Sequence, residues 1–283
     1  MKNVLIIGGS GLLGSNWAIK WRDRYNILLG INKRFIEIEG TKSIIIDFKE
    51  EKIIRDILEK NKVDILINCS GLTNVEKCEE NKELADFVHC RLCEVFSKLC
   101  TSLGVKQIHI STDHLFDGLN KYVDENCIPK PLNNYGKTKL VSEKMVSKFN
   151  PNALIIRTNF FGKGPSYRRS FSDLILDNIS VNESVNLFDD VFFTPIYINE
   201  LIEIIENLLL KDLFGVFNVV GDERLTKYDF GLKIASEIGV NKSLVKKTFF
   251  SERNDLVKRP FDLSLSNKKI RKLISIPIKS LND

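Results

Sequence analysis

A chain of 283 residues, 43% of them apolar, can build one large α/β unit or a nucleotide domain with a smaller companion. Its 42 basic and 37 acidic residues leave a formal charge of +5, which suits an anionic ligand but is too balanced for a nucleic-acid-binding surface. No apolar run approaches the ~18 residues of a membrane span, and the start runs straight into a strand without room for a signal peptide, so a cytoplasmic protein is expected.

Short β-branched runs alternate with longer amphipathic ones. Val4–Ile7 reads as the first strand and Leu12 to about Trp21 as its helix; Ile27–Leu29 and Ser43–Ile46 follow as strands. Residues 51–60 present Ile53, Ile54, Ile57 and Leu58 on one helical face, and Val63–Ile67 is the fourth strand. Residues 83–103 place Leu84, Val88, Leu92, Val95, Phe96, Leu99 and Leu103 on the stripe of one long helix, which Gly104 caps. Gln107–Ile110 is a strand, a helix runs from Tyr135 to about Phe149, and Leu154–Ile156 is a further strand. Such apolar strands between helices predict an α/β fold with a doubly wound, parallel, Rossmann-type sheet.

After Arg157 the rhythm changes. Short helices are expected at Phe171–Asn178, Leu201–Leu210 and Lys227–Ile238, with strands at Val185–Phe188 and Val216–Val220. This portion reads as too irregular to continue the sheet. The expected division is 1–160 for nucleotide binding, with about 189–212 returning to it, and 161–283 as a smaller, interleaved α/β substrate domain. The six cysteines, including Cys90-x-x-Cys93 beside His89, lack a second pair at zinc-ligand spacing and read as buried, reduced thiols; no metal site is expected.

Gly8, Gly11 and Gly14 stand at G-x-x-G-x-x-G spacing between a strand and an apolar helix, with Ser10, Leu12 and Leu13 in the same turn. Glycine lets a backbone approach a pyrophosphate, and the helix N-terminus meets its charge. Asp47 and Phe48 end the third strand, where they can reach an adenine edge; a solvated strand-end Asp would look the same. NAD enzymes usually place an acid at the end of the second strand. Here that stretch ends Asn32-Lys33-Arg34, without an acid. A 2′-phosphate would pair with Lys33 or Arg34, so NADPH is expected over NADH; a basic surface loop would carry the same residues.

Tyr135 and Lys139 are four apart on one helix face, behind Ser111-Thr112-Asp113 at a strand end. An ammonium near a phenol favours the phenolate and would lower its pKa from ~10, while Thr112 could hold a carbonyl oxygen. Asn133 or Asn134 is placed to cap the helix. Together with the glycine turn, this set suits carbonyl reduction by a nicotinamide.

The chain resembles the extended short-chain dehydrogenases/reductases, and within them the dTDP-4-dehydrorhamnose reductase family. The resemblance rests on Gly8–Gly14, Asn68–Glu79, Ser111-Thr112-Asp113-His114-Leu115-Phe116-Asp117-Gly118, Tyr135–Lys139, Arg157-Thr158 and Arg259-Pro260. It implies that Tyr135 is the general acid, that Lys139 holds the nicotinamide ribose and tunes Tyr135, that Thr112 polarises the ketone, and that Asp113 fixes the sugar or Thr112. It further implies cofactor contacts from Cys69, Ser70, Gly71 and Thr73, and substrate contacts from Thr73, Val75, His114, Phe116, Asn159, Arg168, Phe193 and Arg259. The implied reaction reduces the 4-keto group of a nucleotide-activated 6-deoxyhexulose, for surface polysaccharide synthesis.

Three positions depart from the family pattern. His114 stands where Tyr is usual, His89 stands near the usual Asn of a water relay behind the Lys, and Asp190-Val191-Phe192-Phe193 replaces Asp-Gln-x-Gly before Thr194-Pro195. Lys163, Arg168 and Arg169 could clamp a substrate diphosphate, as could Arg259, although a solvated loop accounts for them equally. Phe192 and Phe193 would stack on a base or fill the domain seam. Two other functions fit the same resemblance: a non-catalytic regulatory subunit like the methionine adenosyltransferase β subunit, and a nucleotide-sugar epimerase or dehydratase. The expected partner is a nucleotide-diphosphate sugar, with neither nucleic acid nor membrane, and a homodimer is compatible with this reading.

Overall fold

The computed structural model describes residues 1–237 and 239–275. Strands β1 (Asn3–Ile7), β2 (Asn26–Ile31), β3 (Thr41–Ile45), β4 (Ile65–Asn68), β5 (Lys106–Ile110) and β6 (Leu154–Arg157) form a parallel sheet. Gly215–Asn218 joins it as a seventh strand beside β6, and β3 forms the other edge. That strand corrects the expectation that everything beyond 161, apart from about 189–212, lies outside the sheet. The edge of β6 was open, and Phe217 and Val219 bury there against the same core as Ile156.

Period-two alternation in β1 sorts its side chains between two helical layers. Val4 and Ile6 meet α1 (Leu12–Trp21), while Leu5 and Ile7 meet α2 (Glu51–Lys60) on the opposite face. Further along come α3 (Val75–Glu80), α4 (Lys82–Asp86), α5 (Leu92–Leu103) and α6 (Asn134–Phe149). The long helix expected over 83–103 is α4 and α5 joined by a π-helical turn, Phe87–Arg91. That extra residue rotates the stripe, so Leu92, Phe96 and Leu99 are buried while Leu84 is exposed.

Beyond α6 lie α7 (Phe171–Ser180), α8 (Ile198–Leu210) and α9 (Lys227–Glu237); Ile238, expected to end α9, lies outside the described residues. Ile198, Leu201, Ile202 and Ile205 of α8 return to the sheet beside α1. A separate core joins Ile175 and Ile179 of α7, Leu187, Phe193, and Phe230 and Ile234 of α9, with Val185–Phe188 paired parallel to Val245–Thr248. The expected smaller domain extends to 283, of which 276–283 lie outside the described residues.

Candidate active site

Strand order reverses between β1 and β4, and a cleft of about 1300 Å³ opens at the carboxyl ends of the strands around that point. Its floor begins at the glycine turn. Gly8 has φ +78°, and a Cβ there would stand 3.0 Å from the Cys69–Ser70 backbone. Gly11 is the N-cap of α1 and no side chain caps that end, so the first-turn N–H groups are available to an anion. Gly8, Ser10, Gly11, Leu12 and Leu13 line the cleft. Gly14 does not: a Cβ there would lie 2.5 Å from the Gly8 oxygen, so this glycine lets the helix close onto the turn. An unblocked backbone cradle on an uncapped helix end fits a dinucleotide pyrophosphate.

The adenosine end is basic. Asn32, Lys33 and Arg34 after β2, and Asp47 and Phe48 after β3, line the cleft. The Arg34 guanidinium lies 4.8 Å from the ring centroid of Tyr167, a cleft residue with no motif to announce it. After β4, the Asn68 side chain accepts from Ser70 N at 3.1 Å and Ser70 Oγ at 2.6 Å, shaping the Cys69–Thr73 wall.

The reacting groups converge from β5 and α6. Asn133 caps α6 by accepting from Gly136 N at 2.9 Å; Asn134 instead donates to the Cys78 carbonyl. A Cβ on Gly136 would stand 2.4 Å from the His114 oxygen, so this glycine lets the helix lie against the loop after β5. Thr112, Asp113, His114, Tyr135 and Lys139 all line the cleft. Thr112 Oγ1 donates to Asp113 at 3.2 Å, and Asn159 donates to the other oxygen of that carboxylate. Lys139 Nζ donates to the Ile110 carbonyl at 2.6 Å, and burial holds its pKa below the usual lysine value.

The expectation that Lys139 lowers the Tyr135 pKa is corrected for the chain's own groups. Burial pushes the phenol above its ordinary value, against the downward pull of a hydrogen bond with Thr112, and Asp113 adds to the rise. A phenol kept protonated is a donor throughout the neutral range, as a general acid requires.

His89 and His114 flank Tyr135 edge-on, with ring centroids 5.8 and 5.4 Å away. Thr138 Oγ1 donates to the Asn134 carbonyl, so its oxygen accepts from His89 Nδ1 at 2.8 Å, while His89 Nε2 accepts from Leu72 N at 3.0 Å. Both nitrogens of a neutral ring are thus used, and burial with the Lys139 charge pushes its pKa down to about 3. His89 positions the loop and the helix rather than exchanging protons near neutrality.

Thr73, Asn159 and Arg168 border the cleft, but four expected substrate residues do not. Val75 packs beside Tyr135 from behind, and Phe116 is buried with Leu115 and Val123. Phe193 is 1% exposed in the smaller core, because its neighbours Phe230 and Ile175 compete for it more strongly than the cleft does. Arg259 pairs with Glu76 outside the cleft wall. Of the proposed diphosphate clamp, Arg169 is taken by Asp177 and Lys163 is off the wall, leaving Arg168. The thiols also differ from expectation in part: Cys127 is exposed and Cys69 lines the cleft.

Glu143 was not foreseen. It meets Arg157 in a buried ion pair at 2.7 Å and accepts from Ser111 Oγ at 2.5 Å, bracing the loop that carries Thr112. Its position four residues after Lys139, itself four after Tyr135, was the available signal.

The family model described as RmlD substrate binding domain matches residues 1–282. The Haloferax volcanii protein named "Probable low-salt glycan biosynthesis reductase Agl14" is 28% identical over 259 residues, 90% of this chain and 86% of that protein. The methionine adenosyltransferase 2 subunit beta of Xenopus laevis is 24% identical over 279 residues, 96% of this chain and 82% of that protein. The crystal structure of a Bacillus anthracis dTDP-4-dehydrorhamnose reductase in complex with NADP superposes with a TM-score of 0.88 at 22% identity, covering 99% of this chain and 96% of that one. At that identity the likeness speaks for the fold. From the whole-length match and the glycine-turn, Thr-Asp and Tyr/Lys geometry, the chain belongs to the family of the RmlD substrate binding domain.

Proposed function

We propose that this protein is an NADPH-dependent reductase that converts the 4-keto group of a nucleotide-activated 6-deoxyhexulose to an alcohol, in surface polysaccharide synthesis. One observation carries the reading: Thr112, Tyr135 and Lys139 open onto the same cleft as the glycine turn. The turn and the N-terminus of α1 take the pyrophosphate, and Lys33 and Arg34 take the 2′-phosphate. Lys139 takes the nicotinamide ribose. The nicotinamide, when bound, supplies the hydride for the carbonyl carbon. When substrate is bound the Thr112 hydroxyl turns from Asp113 to donate to the carbonyl oxygen, Asn159 holds the Asp113 carboxylate in place, and the Tyr135 phenol gives its proton to that oxygen as charge develops there. Arg168 borders the path of the substrate diphosphate. We place the reaction in the cytoplasm and expect a homodimer.

NADPH oxidation with a panel of nucleotide 4-keto sugars tests the reading, with NADP+ release in step with alcohol product as the expected result. Product formed with the cofactor retained and not consumed would instead indicate an epimerase or a dehydratase; in dehydratases Asp-Glu commonly follows the active-site Thr, whereas here Asp113-His114 follows it. Inactivity across the panel together with a stoichiometric protein partner would indicate a regulatory subunit.

A further inference from the structure

We propose that His109, paired with His89, is a positioning residue that sets where Lys139 stands against the cofactor wall, each ring tying the catalytic helix α6 to the segment 68–72. The inference deepens the reductase reading and rests on it.

His109 and Asn68 are Cα partners on the adjacent strands β5 and β4, and both are fully buried. His109 Nε2 lies 3.0 Å from Ser142 Oγ, which itself donates to the Lys139 carbonyl at 2.7 Å. With its own hydrogen committed, that hydroxyl accepts, so Nε2 carries the ring proton. Nδ1 is then the acceptor, facing Asn68 Nδ2 at 3.4 Å and the Cys93 thiol at 3.8 Å. The side-chain oxygen of Asn68 accepts from Ser70 N and Ser70 Oγ, and Ser70 lines the cleft. One buried chain of hydrogen bonds thus runs from the cofactor wall through Asn68, His109 and Ser142 to the backbone of Lys139.

His89 makes a second connection in the same sense. It accepts from Leu72 N and donates to Thr138 Oγ1, whose own hydrogen goes to the Asn134 carbonyl. Each ring takes a hydrogen from the segment 68–72 and gives one to a hydroxyl of α6. Thr138 and Ser142 lie one turn apart on either side of Lys139, so the two ties fix both the rotation of the helix and its distance from the wall. Packing alone asks for no polar group at position 109, since β5 fills its opposite face with Ile108 and Ile110. A buried imidazole is unfavourable unless both nitrogens are used, and here both are. Burial also holds the His109 pKa well below the ordinary histidine value, so the ring keeps one donor and one acceptor.

Amide side chains separate the two ties, because the NH2 of Gln reaches the place of Nε2 and that of Asn the place of Nδ1. His109→Gln retains the donor to Ser142 and His109→Asn loses it; at position 89 the order reverses, with Asn keeping the donor to Thr138. His109→Gln and His89→Asn should hold kcat within about threefold, a shift worth less than one hydrogen bond. His109→Asn and His89→Gln should lower kcat by about 10- to 100-fold through misplacement of Lys139 and Tyr135, with the sugar KM little changed. The same two variants should weaken NADPH binding by about tenfold, as the Lys139 ammonium leaves the ribose. Nitrogen-15 spectra of the wild-type imidazoles should show His109 as the Nε2–H tautomer and His89 as the Nδ1–H tautomer. A variant that does not fold leaves the decision to those tautomers, and the opposite tautomers overturn the proposal. Equal kcat and equal NADPH affinity for the Asn and Gln variants at each position reduce the histidines to packing and overturn it too, leaving the reductase reading intact. If the wild type binds NADPH yet reduces no nucleotide 4-keto sugar, that reading falls, while the NADPH affinities alone uphold or overturn the ties.

Discussion

Lys139 Nζ and the Ile110 carbonyl oxygen, 2.6 Å apart, tie the helix that carries Tyr135 to the strand that presents Thr112. A phenol and a hydroxyl from elements distant in sequence are thereby held on one wall of the cleft. Tyr135→Phe should lower kcat by about 10²–10⁴-fold, the usual worth of a positioned general acid, with NADPH affinity unchanged. Lys139→Met should lower kcat and weaken NADPH binding together, since the ammonium serves both. Steady-state kinetics with direct cofactor titration separates the two; a Tyr135→Phe enzyme of normal kcat would remove the phenol from the mechanism.

The histidines make a prediction about acid. Burial depresses the pKa of His89, His109 and His114. Each is neutral in the folded chain and takes a proton in the unfolded chain below about pH 6.5. Their stabilisation is therefore complete above that value and lost as pH falls toward the folded pKa values. His89 and His109, 1% and 0% exposed, should each contribute a slope of ~1.4 kcal/mol per pH unit between about pH 6 and pH 4.5, with less from His114. Urea unfolding across that window measures the slope, and a flat profile contradicts the neutral, buried assignment.

Arg34 stacks on Tyr167 at the mouth of the adenosine end. Arg34→Ala should reduce kcat/KM for NADPH by about 10- to 100-fold, the loss of a hydrogen bond to a charged group, while leaving NADH nearly unaffected. Tyr167→Ala should give a smaller loss in the same direction, because the guanidinium remains but is no longer held. Parallel loss with both nicotinamides would place Arg34 away from the 2′-phosphate.

The Glu143–Arg157 pair is buried, and one guanidinium nitrogen, Nη1, has no partner even in the intact pair. Glu143→Ala should cost about 3–5 kcal/mol of stability by leaving the Arg157 charge uncompensated, and should release Ser111. Glu143→Ala with Arg157→Met should recover much of it. Chemical denaturation of both variants checks the order; a single variant as stable as wild type would contradict the burial argument.

Much of this was legible because local pattern and tertiary role agree. Apolar strands such as Val4–Ile7 and Ile65–Ile67 can sit only between two helical layers, and the glycine turn follows directly from the first. Gly215–Asn218 was not assigned to the sheet, because its run of apolar residues carries no mark of which open edge it joins. The π-turn escaped because the helical period before and after it is regular, and only the buried His89 hints at a slipped register. Phe193 was misplaced for a related reason: an aromatic pair reads alike in a substrate wall and in a core.

The most direct measurement is single-turnover NADPH oxidation by the purified chain with nucleotide 4-keto-6-deoxyhexoses, wild type beside Tyr135→Phe. The account predicts one equivalent of alcohol per NADPH consumed in the wild type, and loss of that step in the variant with NADPH still bound. Oxidation at equal rates in both proteins, or none in the wild type with any sugar of the set although NADPH binds, would contradict it.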